Sequence, residues 1–244
     1  MHPRYEQHLD ALDRDGSAFV EACAAAGLSS PVPTCGAWTV ADLLWHVTGV
    51  YSFFGTIVAE RRTSTDGIVA GDRPADGELL DVCRERLSAL VGTLRATPDD
   101  TPVWTWVSDR SVAFVRRRMA HETAVHRWDA ERAAGREWAI DADLASDGID
   151  EFLHLFAHRR SDGAADVGGS VHVHCADVAG EWTLRPDSST GTFTVTREHA
   201  KGDCAIRGGA SDILLGLWRR LPLTALDIVG DADVAARFVA APRL

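Results

Sequence analysis

The sequence predicts a mainly helical protein whose first half is an antiparallel bundle of four helices and whose second half mixes strands with helices. Two observations support this prediction. Apolar residues recur every three or four positions over four long segments of the first half, as they do in helices that pack side by side. In the second half, short segments alternate polar and apolar residues with period two, which is typical of strands. We place the boundary between the halves near Trp138.

The helices of the first half have recognisable ends. Thr39 precedes the second helix and is followed three residues later by Asp42, a pattern typical of a helix N-terminus. The fourth helix is expected to stop at Gly135, because glycine suits the position that follows a helix. The expected ranges are residues 5–25, 39–57, 76–95 and 109–134.

The second half is expected to contain both helices and strands. Residues 171–175 read Val-His-Val-His-Cys, an alternation with period two that indicates a strand. Residues 211–220 return to helical spacing. In all, helices are predicted over residues 149–158, 211–220 and 231–240, and strands over residues 171–175, 181–184, 192–195 and 226–229.

Composition excludes several classes of function. The chain of 244 residues has 25 basic and 36 acidic residues, a net charge of −11 that disfavours binding to nucleic acid or to anionic membranes. The longest uncharged apolar-rich stretch, residues 46–59, is too short to span a bilayer. Five cysteines without a C-x-x-C pair predict neither a disulfide framework nor an all-cysteine zinc site, so we expect a cytoplasmic protein. The oligomeric state stays open.

The main chemical signal lies on the fourth helix. Its apolar stripe, which includes Val115 and Met119, continues at the same spacing into Glu122, His126 and Asp129. Buried charges are costly without partners, and residues four apart on a helix can bind one ion together. A metal ion would therefore satisfy this stripe. A network of salt bridges would satisfy it as well, with partners among Arg116, Arg117, Arg118 and Arg127.

His46, on the second helix, is the candidate for a third metal ligand. It lies near the buried side of its helix, and facing helices supply the ligands of metal sites in bundles. Three protein ligands would leave an open position, as in catalytic zinc sites. A histidine in this place could equally be a packed core residue. His121 is expected to point away from His126, as a supporting or surface group, and the spacing differs from the H-E-x-x-H of zinc proteases.

Two other groups of residues have weaker signals. His172 and His174 share one face of a strand, but the sequence offers no acidic partner close by, so we expect an exposed face. Trp104, Trp106 and Trp128 could line a substrate entrance or belong to the core.

Several segments resemble the mycothiol-dependent maleylpyruvate isomerase family. The resemblance covers essentially the whole chain and is carried by residues 38–47, 121–131, 208–222 and 229–231. It implies a mainly α plus α/β fold: a DinB-like metal-binding four-helix bundle over residues 1–138, and a smaller α/β domain over residues 139–244 that resembles sterol-carrier proteins.

The resemblance also implies a function for the metal site. It makes His46, Glu122 and His126 zinc ligands, although nitrogen and oxygen ligands would accept another divalent metal. Zinc would bind the thiol of the cosubstrate mycothiol as a thiolate, which attacks an electrophilic small molecule. The outcome would be either a cis–trans isomerisation of the maleylpyruvate type or a thiol S-transfer. The alternative is a non-catalytic metal-binding bundle with a sensing or binding role.

Arg220 matches a position where the family tends to have arginine, within the segment Trp218-Arg219-Arg220-Leu221-Pro222. We expect it to bind a substrate carboxylate beside the zinc. The alternative is a surface arginine near a helix C-terminus, where the helix dipole favours a cation.

With a single lysine, Lys201, among its basic residues, the chain also fits a GC-rich actinobacterial source.

Overall fold

The computed structural model describes residues 3–157, 167–187, 189 and 192–242. These residues contain seven α-helices and one five-stranded sheet. The chain divides into two compact units, Met1–Trp138 and Ala139–Leu244. The first unit contains α1 (Pro3–Ala26), α2 (Val40–Ala59), α3 (Leu79–Ala96) and α4 (Val112–Ala133). The second contains α5 (Ala142–Leu155), α6 (Ala210–Leu217), α7 (Ala232–Ala240) and the sheet.

Local signals define the ends of the helices in the first unit. The Thr39 side chain accepts a hydrogen bond from the backbone N–H of Asp42, and the Asp42 carboxylate accepts one from the backbone N–H of Thr39 at 2.9 Å. This reciprocal cap stabilises the start of α2 by about 1 kcal/mol. The Ser111 side chain caps α4 by accepting a hydrogen bond from the backbone N–H of Phe114, and Gly135 follows α4 with φ +69°. The predicted ends of both helices are therefore confirmed to within a few residues.

The core of the first unit lies between two pairs of helices. α1 packs chiefly against α4, and α2 packs chiefly against α3. Phe19, Leu44, Tyr51 and Leu90 are completely buried in this core. Because α2 and α4 also contact each other, polar residues on their facing sides can meet inside the bundle.

The sheet of the second unit has the order β3-β2-β1-β4-β5. Its central pair, β1 and β4, is parallel, and all other neighbours are antiparallel. The strands are β1 (Val171–Cys175), β2 (Glu181–Asp187), β3 (Thr192–Thr196), β4 (Cys204–Gly208) and β5 (Asp227–Gly230). One face of β1 and β4, with Val171, Val173 and Ile206, is buried, and α6 and α7 contact these strands.

Two elements differ from the predictions. Strand β4 was not predicted, because its five residues lie in a glycine-rich segment and its hydrogen bonds come from β1 and β5, which are separated from it along the chain by other elements. Helix α5 begins at Ala142 rather than at residue 149, because Asp141 caps it by accepting a hydrogen bond from the backbone N–H of Leu144. The predicted end of α5 at His158 lies outside the described residues. No helix in the described part of the chain is both long and apolar enough to cross a membrane.

Candidate metal centre

Helices α2 and α4 bring His46, Glu122 and His126 together inside the first unit. Glu122 Oε1 lies 3.4 Å from His46 Nε2 and 3.2 Å from His126 Nε2. One nitrogen or oxygen from each residue falls within 4.8 Å of the others, and the two imidazole rings meet nearly edge to face. Two imidazole nitrogens and one carboxylate oxygen thus lie close enough together to bind one cation.

His126 is held in a fixed orientation by Asp129. The Nδ1 atom of His126 lies 3.0 Å from Asp129 Oδ2, and since a carboxylate only accepts, Nδ1 donates. Asp129 is completely buried and also accepts hydrogen bonds from the Thr34 hydroxyl at 2.5 Å and the Cys35 thiol at 3.5 Å. A carboxylate behind a histidine is the usual support of a metal ligand, because it leaves Nε2 to face the ion.

Arg118 binds the other oxygen of Glu122. Its guanidinium donates to Glu122 Oε2, so that Oε1 faces the two histidines. Burial raises the pKa of Glu122, but Arg118 and the hydrogen bonds from His126 and His46 outweigh burial, and the pKa lies well below its ordinary value. Burial lowers the pKa of His126, but its bonds to Asp129 and Glu122 raise it to about 9. The arginine salt bridge considered from the sequence is therefore present, while metal binding by the stripe stays a prediction.

The three candidate ligands differ in their access to solvent. The His46 side chain is 38% exposed, whereas the His126 side chain is only 8% exposed. The half-exposed ring of Trp38 lies 5.1 Å from the ring of His46. One side of the cluster is therefore open to a small molecule. Two imidazoles and one carboxylate with an open side fit zinc or another first-row divalent metal.

The structure places other candidate residues of the first unit in or against its core, the alternative considered for the tryptophans. His121 is buried, and its ring packs against that of His8 at 5.6 Å, so the surface position considered for it is wrong. Trp128 is buried as well, and Trp104 packs against Phe53. Sequence analysis gave no role to Trp38 or to the contact of Asp129 with His126. The only sequence signal for that contact is that the two residues are three apart on α4.

Arg220 follows α6 in the second unit. Its Nη1 donates to the carbonyl of Trp218 at 3.0 Å, a contact with the end of its own helix segment. This is the contact that the dipole alternative predicts, and the role of Arg220 toward a substrate stays a prediction. The neighbouring Arg219 has a structural role instead, because it donates to the carbonyls of Val239 and Ala240 and ties α6 to the end of α7.

The prediction of an exposed face is wrong for His172, which is buried, whereas the His174 side chain is 37% exposed. Both imidazoles contact Glu181. Glu181 follows His174 by seven residues, and the antiparallel pairing of β1 with β2 places the two residues opposite each other. Sequence analysis missed it because the register of a hairpin cannot be read from the strand alone.

Together, these features define a two-unit protein whose helical bundle presents a candidate metal site of two histidines and one glutamate. The sequence matches the mycothiol maleylpyruvate isomerase N-terminal domain over residues 9–131 and the C-terminal domain of the same enzymes over residues 143–237. The chain therefore belongs to the mycothiol maleylpyruvate isomerase family, as its resemblance indicated.

Solved structures agree with this fold. A mycothiol-dependent maleylpyruvate isomerase aligns with a TM-score of 0.54 at 13% identity, covering 87% of this chain and 88% of that chain. A histidine-to-alanine mutant described by the same enzyme name aligns with a TM-score of 0.56 at 9% identity and the same coverage. At such identities the similarity is one of fold. No curated protein sequence matches the chain.

Proposed function

We propose that this protein is a metal-dependent enzyme that uses mycothiol to attack an electrophilic small molecule. The observation that carries the proposal is the convergence of His46 Nε2 and His126 Nε2 on Glu122 Oε1, with His126 anchored by Asp129. Membership of the mycothiol maleylpyruvate isomerase family supports the choice of thiol. The three residues are the proposed ligands of zinc or of another divalent metal.

Each residue of the cluster has a distinct task in this proposal. A bound zinc ion would lower the pKa of a coordinated thiol, so that mycothiol reacts as its thiolate near neutral pH. His46 and His126 offer nitrogen ligands, and Glu122 offers one oxygen while Arg118 holds the other. Asp129 keeps His126 in the tautomer whose Nε2 lone pair faces the ion.

Arg220 is the proposed partner of a substrate carboxylate. A chain with a net charge of −11 repels an anionic substrate, so that local arginine is needed to bind it. Arg220→Ala should raise KM for a carboxylate-bearing electrophile and leave turnover of a neutral electrophile unchanged, and Arg220→Lys should restore part of the loss. Equal rates of wild type and Arg220→Ala on both substrates would contradict this role.

We also propose a cytoplasmic location. None of the five cysteines, all of which the structure describes, forms a disulfide bond, and Cys23 and Cys83 are buried within the first unit. Free thiols and a thiol cosubstrate both need a reducing compartment.

The function is tested by measuring metal content together with the fate of the thiol. Purified protein should contain zinc or another divalent metal, and it should turn over maleylpyruvate or a related electrophile only when mycothiol is present. Regeneration of mycothiol indicates isomerisation, whereas its consumption with formation of a conjugate indicates S-transfer.

The His46→Ala variant should lose this activity, since it removes one of three proposed ligands. Full turnover by His46→Ala would contradict the metal assignment. Metal binding without any thiol-dependent reaction would support the alternative of a non-catalytic metal-binding bundle in sensing or binding.

A further inference from the structure

We propose that the second unit contains a separate site for a divalent metal ion, formed by His172, His174, Glu181 and His199. The site is independent of the proposed function, because all four residues lie in the second unit and none belongs to the cluster on α2 and α4. Its ligands would be imidazole nitrogens and one carboxylate oxygen, which suit zinc, nickel or copper.

The strand register explains why these side chains meet. His172 and His174 are two residues apart on β1, so they project from the same face of the sheet. In the antiparallel pairing of β1 with β2, Glu181 stands directly opposite His174. Side chains opposite each other in such a pair lie about 5 Å apart at Cβ, close enough to share one ion.

Three imidazoles converge on a single oxygen of Glu181. His172 Nε2 lies 2.9 Å from Glu181 Oε1, and His174 Nδ1 lies 3.0 Å from the same oxygen. His199 also hydrogen-bonds this oxygen through its Nδ1, and its ring meets that of His172 at 5.4 Å and a right angle. An ionised carboxylate oxygen has two lone pairs, fewer than the three donors aimed at it. A divalent metal ion among these four groups would instead be bound by three imidazole nitrogens and by one carboxylate oxygen.

The four side chains of the cluster range from buried to exposed. His172 is 9% exposed at its side chain, whereas His199 is 81% exposed on the segment between β3 and β4. That segment is attached to the sheet by Glu198, which accepts at its carbonyl from the Thr183 hydroxyl and pairs through its carboxylate with Arg185. A metal ion would therefore join one exposed ligand, His199, to two ligands on β1.

Arg207, the neighbour of His174 on β4, pairs with a different carboxylate: its guanidinium lies 3.6 Å from Asp227 on β5. In the part of the chain that the structure describes, Glu181 Oε1 contacts the three histidines. Four protein ligands with three nitrogens and one oxygen complete a tetrahedral set, which is typical of a structural zinc site without an open position.

The test is a calorimetric titration in which Zn²⁺ alone is added to full-length protein from which metal has been removed with a chelator. Wild type should bind two ions per chain, and His174→Gln and Glu181→Gln should each lose one of them or bind it at least about tenfold more weakly. The double variant His46→Ala/His126→Ala should still bind one ion. His154→Gln is the matched control, because His154 is an exposed histidine of the same unit beside Asp150, and it should match wild type.

The outcomes separate the two sites. If His174→Gln and Glu181→Gln bind zinc like wild type, the site on the sheet does not exist. If the His46/His126 variant binds as many ions as wild type, the bundle site fails and the sheet site stands. Circular dichroism and thermal melting of each variant show whether it is folded, and His199→Gln, at an exposed position, provides the same test with little risk to the fold.

Discussion

The two histidine clusters of this protein, one in the bundle and one on the sheet, arrange the same chemical groups differently. In each, imidazole nitrogens surround one carboxylate oxygen, that of Glu122 on α4 or that of Glu181 on β2. In the bundle the cluster has two histidines and an open side, while on the sheet a third histidine, His199, takes up a further position. Three ligands with an open side suit catalysis, and four suit structure.

The largest effect should come from removing a ligand of the bundle cluster. His126→Ala should lower thiol-dependent turnover at least about a thousandfold, since metal activation is worth several kcal/mol and each 1.36 kcal/mol is a factor of ten. His174→Gln should keep wild-type turnover in the same assay, because its cluster is on the sheet. A loss of turnover in both variants, or in neither, would contradict the division of roles.

A smaller effect is expected from the residue that supports His126. Asp129→Asn should weaken zinc binding in the bundle by about 10- to 100-fold, because the amide can favour the wrong tautomer of His126. The stoichiometry and affinity of the sheet site should not change. Zinc titration by calorimetry measures both, with Asp10→Asn, at an exposed position of α1, as the control. An unchanged affinity would show that Asp129 is only a core residue.

Zinc should protect the strands of the sheet against local opening, and this protection should depend on His199. At a free zinc concentration about 100 times Kd, the site on the sheet would gain about 2.7 kcal/mol, so amides of β1 and β2 should exchange about 100-fold more slowly. Hydrogen exchange followed by mass spectrometry measures this, and His199→Gln should abolish the protection. Equal protection in His199→Gln would show that zinc does not use this residue.

The smallest effect concerns the segment that presents His199. Asp150 on α5 accepts from Trp182 Nε1 at 2.9 Å and from Arg197 Nε at 3.1 Å. Burial raises the pKa of Asp150, but these donors and His154 outweigh it, so the pKa lies below its ordinary value. The stabilisation is therefore present above the unfolded-state pKa and is lost as pH falls through the lower folded-state pKa.

Asp150→Asn should accordingly destabilise the second unit by about 1 kcal/mol near neutral pH, and the difference from wild type should shrink in strong acid. Urea unfolding at several pH values measures it. A constant difference at every pH would show that the charge of Asp150 plays no part.

Local sequence patterns predicted much of the bundle. The cap formed by Thr39 and Asp42, the end of α4 at Gly135 and the shared face of Glu122 and His126 all depend on residues within four positions of one another. Such contacts follow from helix geometry, whatever the rest of the chain does. The sheet was predicted less well, because β4 acquires its hydrogen bonds from β1 and β5, two strands that are separated from it along the chain by other elements.

The sequence by itself determined which side chains could act together within one helix, and it made His46 a candidate partner, which the resemblance also implied. Only the tertiary structure decided that His46 meets Glu122 across the bundle, that Thr34 binds Asp129, and that Glu181 stands opposite His174. The physical reason is that contacts within one helix follow from the regular helical repeat along the chain. The packing of two helices and the register of two strands instead depend on which faces of both elements are buried against each other.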